Sequence, residues 1–193
     1  MTKVLLTGFE PFGKATLNPS GEIAKQISGD NIVTAILPVA YAQSAEALLA
    51  LIEHHKPDVV ISLGQAEGRT QITPERIAIN LDDARLADNE GVMRNDVPIV
   101  VGGPVAYEST LPIKEFVAAI NGAGVPAAVS LSAGAFLCNH IFYVAQDRLK
   151  GTKVRSGFVH VPLMDEQAGE FPGLPTMPLD QMVKAVRAML EVL

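Results

Sequence analysis

An α/β fold is what this sequence predicts: a three-layer α/β/α sandwich on a mainly parallel, mixed sheet, as a single domain over residues 1–193. Short apolar or β-branched runs alternate along the chain with longer stretches of helical periodicity. The run Asp58–Leu63 is nearly all apolar, as a strand covered on both faces should be. The 193 residues suffice for a sizeable core, and 48% hydrophobic against 19% charged residues argues against long disordered stretches.

Taken in order, Lys3–Thr7 reads as a strand. Asn18-Pro19-Ser20 then opens a helix, with Asn as cap and Pro at the first helical position. Ile32–Leu37 is a second strand. Ala42–His55 carries Ala45, Leu48, Leu49 and Ile52 at helical spacing, and Pro57 stops it. Asp58–Leu63 is the third strand. Ile77, Ile79 and Leu81 alternate like a strand inside the otherwise polar segment Gly64–Arg85. Leu86–Tyr107 has little helical pattern, and an irregular segment that long is usually functional or disordered. Ile113–Asn121 reads as a helix ended by Gly122 and Gly124, Ala127–Leu131 as a strand, and Cys138–Leu149 as a helix. Val154–Val161 reads as a strand and Leu179–Val192 as the closing helix. Such alternation implies helices on both faces of the sheet, with binding sites at the C-terminal strand ends.

A formal net charge of −6 without a Lys/Arg cluster argues against nucleic acid as a partner. One cysteine permits no internal disulfide, rules out a cysteine-rich metal site and suits a reducing compartment. The opening residues Met1–Gly8 lack the basic-then-apolar pattern of a secretory signal, and no stretch has the apolar length of a membrane span. These features lead to the expectation of a soluble cytoplasmic protein. Neither the P-loop nor the dinucleotide fingerprint is present.

Cys138 stands where a β-like run turns into a helix, in Ser132-Ala133-Gly134-Ala135-Phe136-Leu137-Cys138-Asn139-His140. Unpaired N–H groups and the positive dipole end of a first helical turn favour thiolate, and the same groups can hold an oxyanion. A lone cysteine is also commonly a small buried hydrophobe. A cysteine nucleophile needs a base. Among the four histidines, His54 and His55 end a helix and read as surface charge, and His140 should point away from Cys138. His160, in Gly157-Phe158-Val159-His160-Val161-Pro162, lies at a strand's C-terminal end and is the favoured base. The acceptor orienting that base is open among Glu67, Glu75, Asp82, Asp83, Asp88 and Glu90, all in the two irregular segments. Gly8-Phe9-Glu10-Pro11-Phe12-Gly13 offers two flat faces on a rigid turn, suited to a small planar ring. Gln65, at the end of the third strand, supplies an orienting amide.

These motifs, with Pro74-Glu75-Arg76-Ile77-Ala78-Ile79-Asn80, Asp83-Ala84-Arg85 and Asp88-Asn89-Glu90-Gly91, resemble the pyroglutamyl peptidase I family of cysteine peptidases. The match runs in order from about Val4 to Gln167. The resemblance implies a thiol omega peptidase that removes an N-terminal pyroglutamyl (5-oxoprolyl) residue from peptides through a thioester acyl-enzyme. It implies Cys138 as nucleophile, His160 as general base and acid, and Glu75 as the group orienting His160. Phe9, Phe12, Gln65 and Phe142 would bind substrate, with Arg85 giving electrostatic support. It further implies no metal or organic cofactor, peptides with N-terminal pyroglutamate as partners, and a homo-oligomer, tetramer or dimer.

Overall fold

The computed structural model describes residues 2–193. In chain order the elements are β1 (Val4–Phe9), α1 (Pro19–Gln26), β2 (Ile32–Leu37), α2 (Tyr41–His55), β3 (Val59–Gln65), β4 (Thr73–Pro74) and β5 (Ile77–Ile79). There follow β6 (Ala106–Glu108), α3 (Ile113–Gly122), α4 (Leu137–Leu149), β7 (Arg155–Val161), β8 (Leu163–Met164), β9 (Thr176–Met177) and α5 (Leu179–Leu190). A 3-10 turn, Asp165–Gln167, lies between β8 and β9.

The central sheet runs β2-β1-β3-β7-β4; its first four strands are parallel and β4 is antiparallel to β7. Alternate side chains of the strands feed two cores. Leu6, Ile61 and Val159 pack with Ile23 of α1, Phe116 of α3 and Val186 of α5. Leu5, Val60 and Phe158 pack with Leu48 of α2 and Ile141 of α4 on the opposite face. Every residue of β1 and β3 is buried, which accounts for the unbroken apolar run seen in the sequence. This is the expected mixed α/β sandwich. At α1 the Asn18 carboxamide oxygen accepts from the Ser20 N–H at 3.1 Å, as the Asn-Pro pair predicts.

Residues 127–131 are not the expected strand. They run beside 72–76 with isolated bridges at Ala127 and Ser130 only. Ile72 N–H donates to Pro126 O, Ala128 N–H to Ile72 O, Ser130 N–H to Pro74 O and Arg76 N–H to Ser130 O. The missing rung is the one Pro74, which has no N–H, would have donated. The irregular segment 86–105 is held by side chains. Asp88 accepts from the backbone N–H groups of Tyr41, Glu90 and Val92, and Asn80 bonds both N–H and C=O of Val100.

Candidate active site

Strands β1, β3 and β7 end together on one edge of the sheet, where a cavity of ≈ 390 Å³ opens between Phe9, Phe12, Gln65, Phe136, Cys138 and His160. Register puts His160 opposite Gly64 and Gln65 opposite Val161. His160 shares strand parity with Phe158, so both face the side that carries α4. Cys138 is the second residue of α4, whose start has no side-chain cap. Asn139 fastens that start to β5, donating to Ile79 O and Leu81 O and accepting from Ile79 N–H. A Cβ added at Gly64 would lie 2.6 Å from Phe158 Cζ and 2.8 Å from Cys138 Sγ. Position 64, next to the end of β3, therefore has to be glycine for the thiol to sit over it.

His160 is 3% exposed, and its Nδ1 lies 2.7 Å from Oε1 of Glu75, which is fully buried. The antiparallel pairing of β4 with β7 brings the carboxylate there, with Glu75 N–H donating to Phe158 O at 2.9 Å. The Arg69 guanidinium donates to the same Glu75 oxygen at 2.7 Å, to Thr73 Oγ1, and to Ser132 O at 3.1 Å. One cation thus ties the carboxylate to the loop leading into α4.

Burial pushes the Cys138 thiol up from 9.0 to about 12, helped by the Glu75 carboxylate and opposed by Arg69 and the cysteine's own backbone N–H. Burial also lowers His160 below its ordinary 6.5, against the raising effect of the Glu75 hydrogen bond. The resting pair is therefore neutral thiol and neutral imidazole. The helix start does act in the expected direction, its backbone N–H lowering the thiol pKa, while desolvation acts against it. With Nδ1 donating to Glu75, the neutral ring keeps its lone pair on Nε2, the atom free to take a thiol proton.

The family model described as pyroglutamyl peptidase matches residues 2–193. The chain belongs to the pyroglutamyl peptidase family. It is 47% identical over 195 residues to the pyrrolidone-carboxylate peptidase of Vibrio vulnificus (strain YJ016), covering 98% of this chain and 92% of that one. The relative from Bacillus thuringiensis (strain Al Hakam), with the same name, is 46% identical over 199 residues, covering 100% and 93%. Among solved structures, pyroglutamyl peptidase I of Bacillus amyloliquefaciens superposes with a TM-score of 0.94 at 44% identity, covering 98% of this chain and 95% of that one. A mutant pyrrolidone carboxyl peptidase of the hyperthermophile Pyrococcus furiosus gives 0.91 at 42%, covering 98% and 97%. Family membership makes the chain a cysteine peptidase, a hydrolase.

The fold brings together Cys138, His160, Phe9, Phe12 and Gln65 around the cavity, with Glu75 directly behind His160. Phe142 stands elsewhere: it is 1% exposed and backs Phe158 at 6.3 Å rather than lining the cavity. Phe136, 6.1 Å from Phe12, occupies the wall instead. Arg85 is exposed and makes no hydrogen bond or ion pair among the described residues. Arg69 is the guanidinium that reaches the site, and it was missed because its reach depends on how a polar loop folds back. His140 points away from the cavity as expected, its Nδ1 2.9 Å from Asp82, which also pairs with Arg94. His54 is exposed and stacks edge-on against His55 at the end of α2.

Proposed function

We propose that the chain hydrolyses the bond after an N-terminal pyroglutamyl residue of peptides, with Cys138, His160 and Glu75 acting as a triad. The observation that carries this reading is the buried His160–Glu75 pair at 2.7 Å, opening onto the same cavity as the only cysteine. As Sγ attacks the pyroglutamyl carbonyl carbon, its proton passes to His160 Nε2 and the carbonyl electron pair moves onto oxygen. N–H groups of the uncapped first turn of α4 stabilise that oxyanion. The tetrahedral adduct collapses, the C–N bond breaks, and the leaving amine takes the proton from His160. Water attacks the thioester carbonyl carbon, giving its proton to His160; the C–S bond then breaks, pyroglutamic acid leaves, and His160 returns the proton to Sγ.

Aromatic walls from Phe9, Phe12 and Phe136 suit a neutral ring. An ordinary peptide would bring a charged amino terminus into that cavity, and burying it unpaired costs several kcal/mol or more. No helix among the described residues is long and apolar enough to cross a membrane. A single-domain, cytoplasmic homo-oligomer, tetramer or dimer, completes the proposal. Light scattering measures the oligomer directly, and a monomer at working concentration would remove that part.

The test is fluorophore release from a pyroglutamyl amide, beside the prolyl amide and with Cys138→Ala. Cleavage of the pyroglutamyl compound alone, abolished by the substitution, is the expected result. Activity surviving in the variant would transfer the nucleophile's role away from Cys138. A folded, reduced and inert wild-type protein would point to binding without turnover.

A further inference from the structure

A hydrogen-bond chain behind the cavity has a fixed direction. Gln167, at the end of the 3-10 turn, is fully buried. Its Oε1 accepts from the Met164 backbone N–H at 3.0 Å. Its Nε2 donates to the Leu17 carbonyl at 3.1 Å and to Gln65 Oε1 at 2.9 Å. A backbone N–H only donates and a backbone carbonyl only accepts, so the Gln167 amide has one possible orientation. That polarity passes on. Gln65 has to turn its oxygen to Gln167, and its Nε2, buried and without a protein partner, becomes the free end of an amide on the cavity wall.

We propose that Gln167 is a positioning residue that holds the Gln65 amide with its N–H donors free for the bound ring, and so sets the preference for a lactam over a saturated ring. The proposal rests on the pyroglutamyl reading and deepens it. A lactam carbonyl satisfies the free donor. A prolyl ring has a methylene at that place and leaves the donor buried and unpaired, and sites built to pair a polar group reject analogues that lack it. Without Gln167 the Gln65 amide is free to turn over, and its oxygen then opposes a ring carbonyl. Phe9 and Phe12 do not make this distinction, because flat apolar faces accept either ring.

The discriminating substitution is Gln167→Met, which keeps length and removes both polar ends; Gln167→Asn, one methylene shorter and still polar, serves if the first fails to fold. Three quantities are measured in protein whose thermal transition remains cooperative. They are the steady-state kinetics of the pyroglutamyl amide, split into kcat and KM, the rate of Cys138 alkylation by iodoacetamide, and protection of that thiol by 2-pyrrolidone against pyrrolidine. The expected result is a KM for the pyroglutamyl amide raised roughly tenfold with kcat changed much less, and pyrrolidone protection weakened by a similar factor. The alkylation rate without pyrrolidone stays at the wild-type value. Unchanged KM and protection would overturn the proposal, as would equal losses in kcat, KM and alkylation, which mark general distortion. If the wild-type protein cleaves nothing while pyrrolidone still protects its thiol, the peptidase reading fails and the Gln167 comparison stands on protection alone.

Discussion

Arg69 touches Glu75, Thr73 and the Ser132 carbonyl, and each contact has its own consequence. Arg69→Met leaves a fully buried carboxylate without its cation, which should cost about 1–3 kcal/mol in urea unfolding, less than a wholly buried pair because Arg69 is a quarter exposed. Arg69 also lowers the pKa of both Cys138 and His160. The acid limb of kcat/KM should therefore move to higher pH in the variant, and alkylation of the thiol should slow. Glu75→Gln has the opposite sign at both groups. Loss of the bond that raises His160 moves the acid limb further below 6.5, and loss of the carboxylate that raises Cys138 lets the thiol ionise more easily. Catalysis should nevertheless fall by roughly 10²- to 10⁴-fold, because the imidazolium loses its partner. That Cys138 and His160 border one cavity was legible in sequence, one as the sole thiol at a helix start and the other by its strand-end position. Glu75 was not selectable by the same reasoning, since six acids share two irregular segments and only the fold of β4 against β7 brings one of them to the histidine. Likewise Phe136 and Phe142 lie six residues apart around α4, and the resemblance named Phe142 where the fold puts Phe136 on the cavity wall.

At the level of elements, the end of β3 and the start of α4 are built against each other. Gly64→Ala places a methyl where Phe158 and the Cys138 sulfur already stand. Overpacking of this kind typically costs 1–3 kcal/mol. Here it should also displace the sulfur, so kcat should fall at least about tenfold, beyond what the stability loss explains. Thermal melting and single-turnover acylation on the same sample separate the two effects. Wild-type acylation by the alanine variant would mean the thiol is not seated on β3. The regular elements were legible because their signals are local: β2 runs over Ile32–Leu37 as read, and α2, α3, α4 and α5 differ by a residue or two at their ends. The 127–131 run failed because its strand-like composition says nothing about Pro74, a residue far along the chain that removes a rung from the shared ladder.

For the whole molecule, the sheet separates a core shared with α1, α3 and α5 from one shared with α2 and α4, and Cys138 packs against the second. The half-buried thiol at the cavity wall ties stability to pH. Its pKa is raised in the folded state, so the unfolded chain releases its proton first, and stability is lost as pH rises from the unfolded value of 9.0 toward about 12. Cys138→Ala removes this contribution, and its unfolding free energy should fall less steeply than wild type over that range; parallel slopes would contradict the assignment. The alternation of strands and helices made the sandwich readable in advance. The tie between Gln167 and Gln65 was not, because 102 residues separate them in the chain and nothing local to Gln65 points to Gln167.

One further property follows from having a single sulfhydryl group that borders the cavity. A colorimetric thiol count on the native protein, divided by the same count in denaturant, gives the fraction of molecules whose cavity admits reagent. Every preparation thus carries its own yardstick, and rates can be expressed per open cavity instead of per milligram.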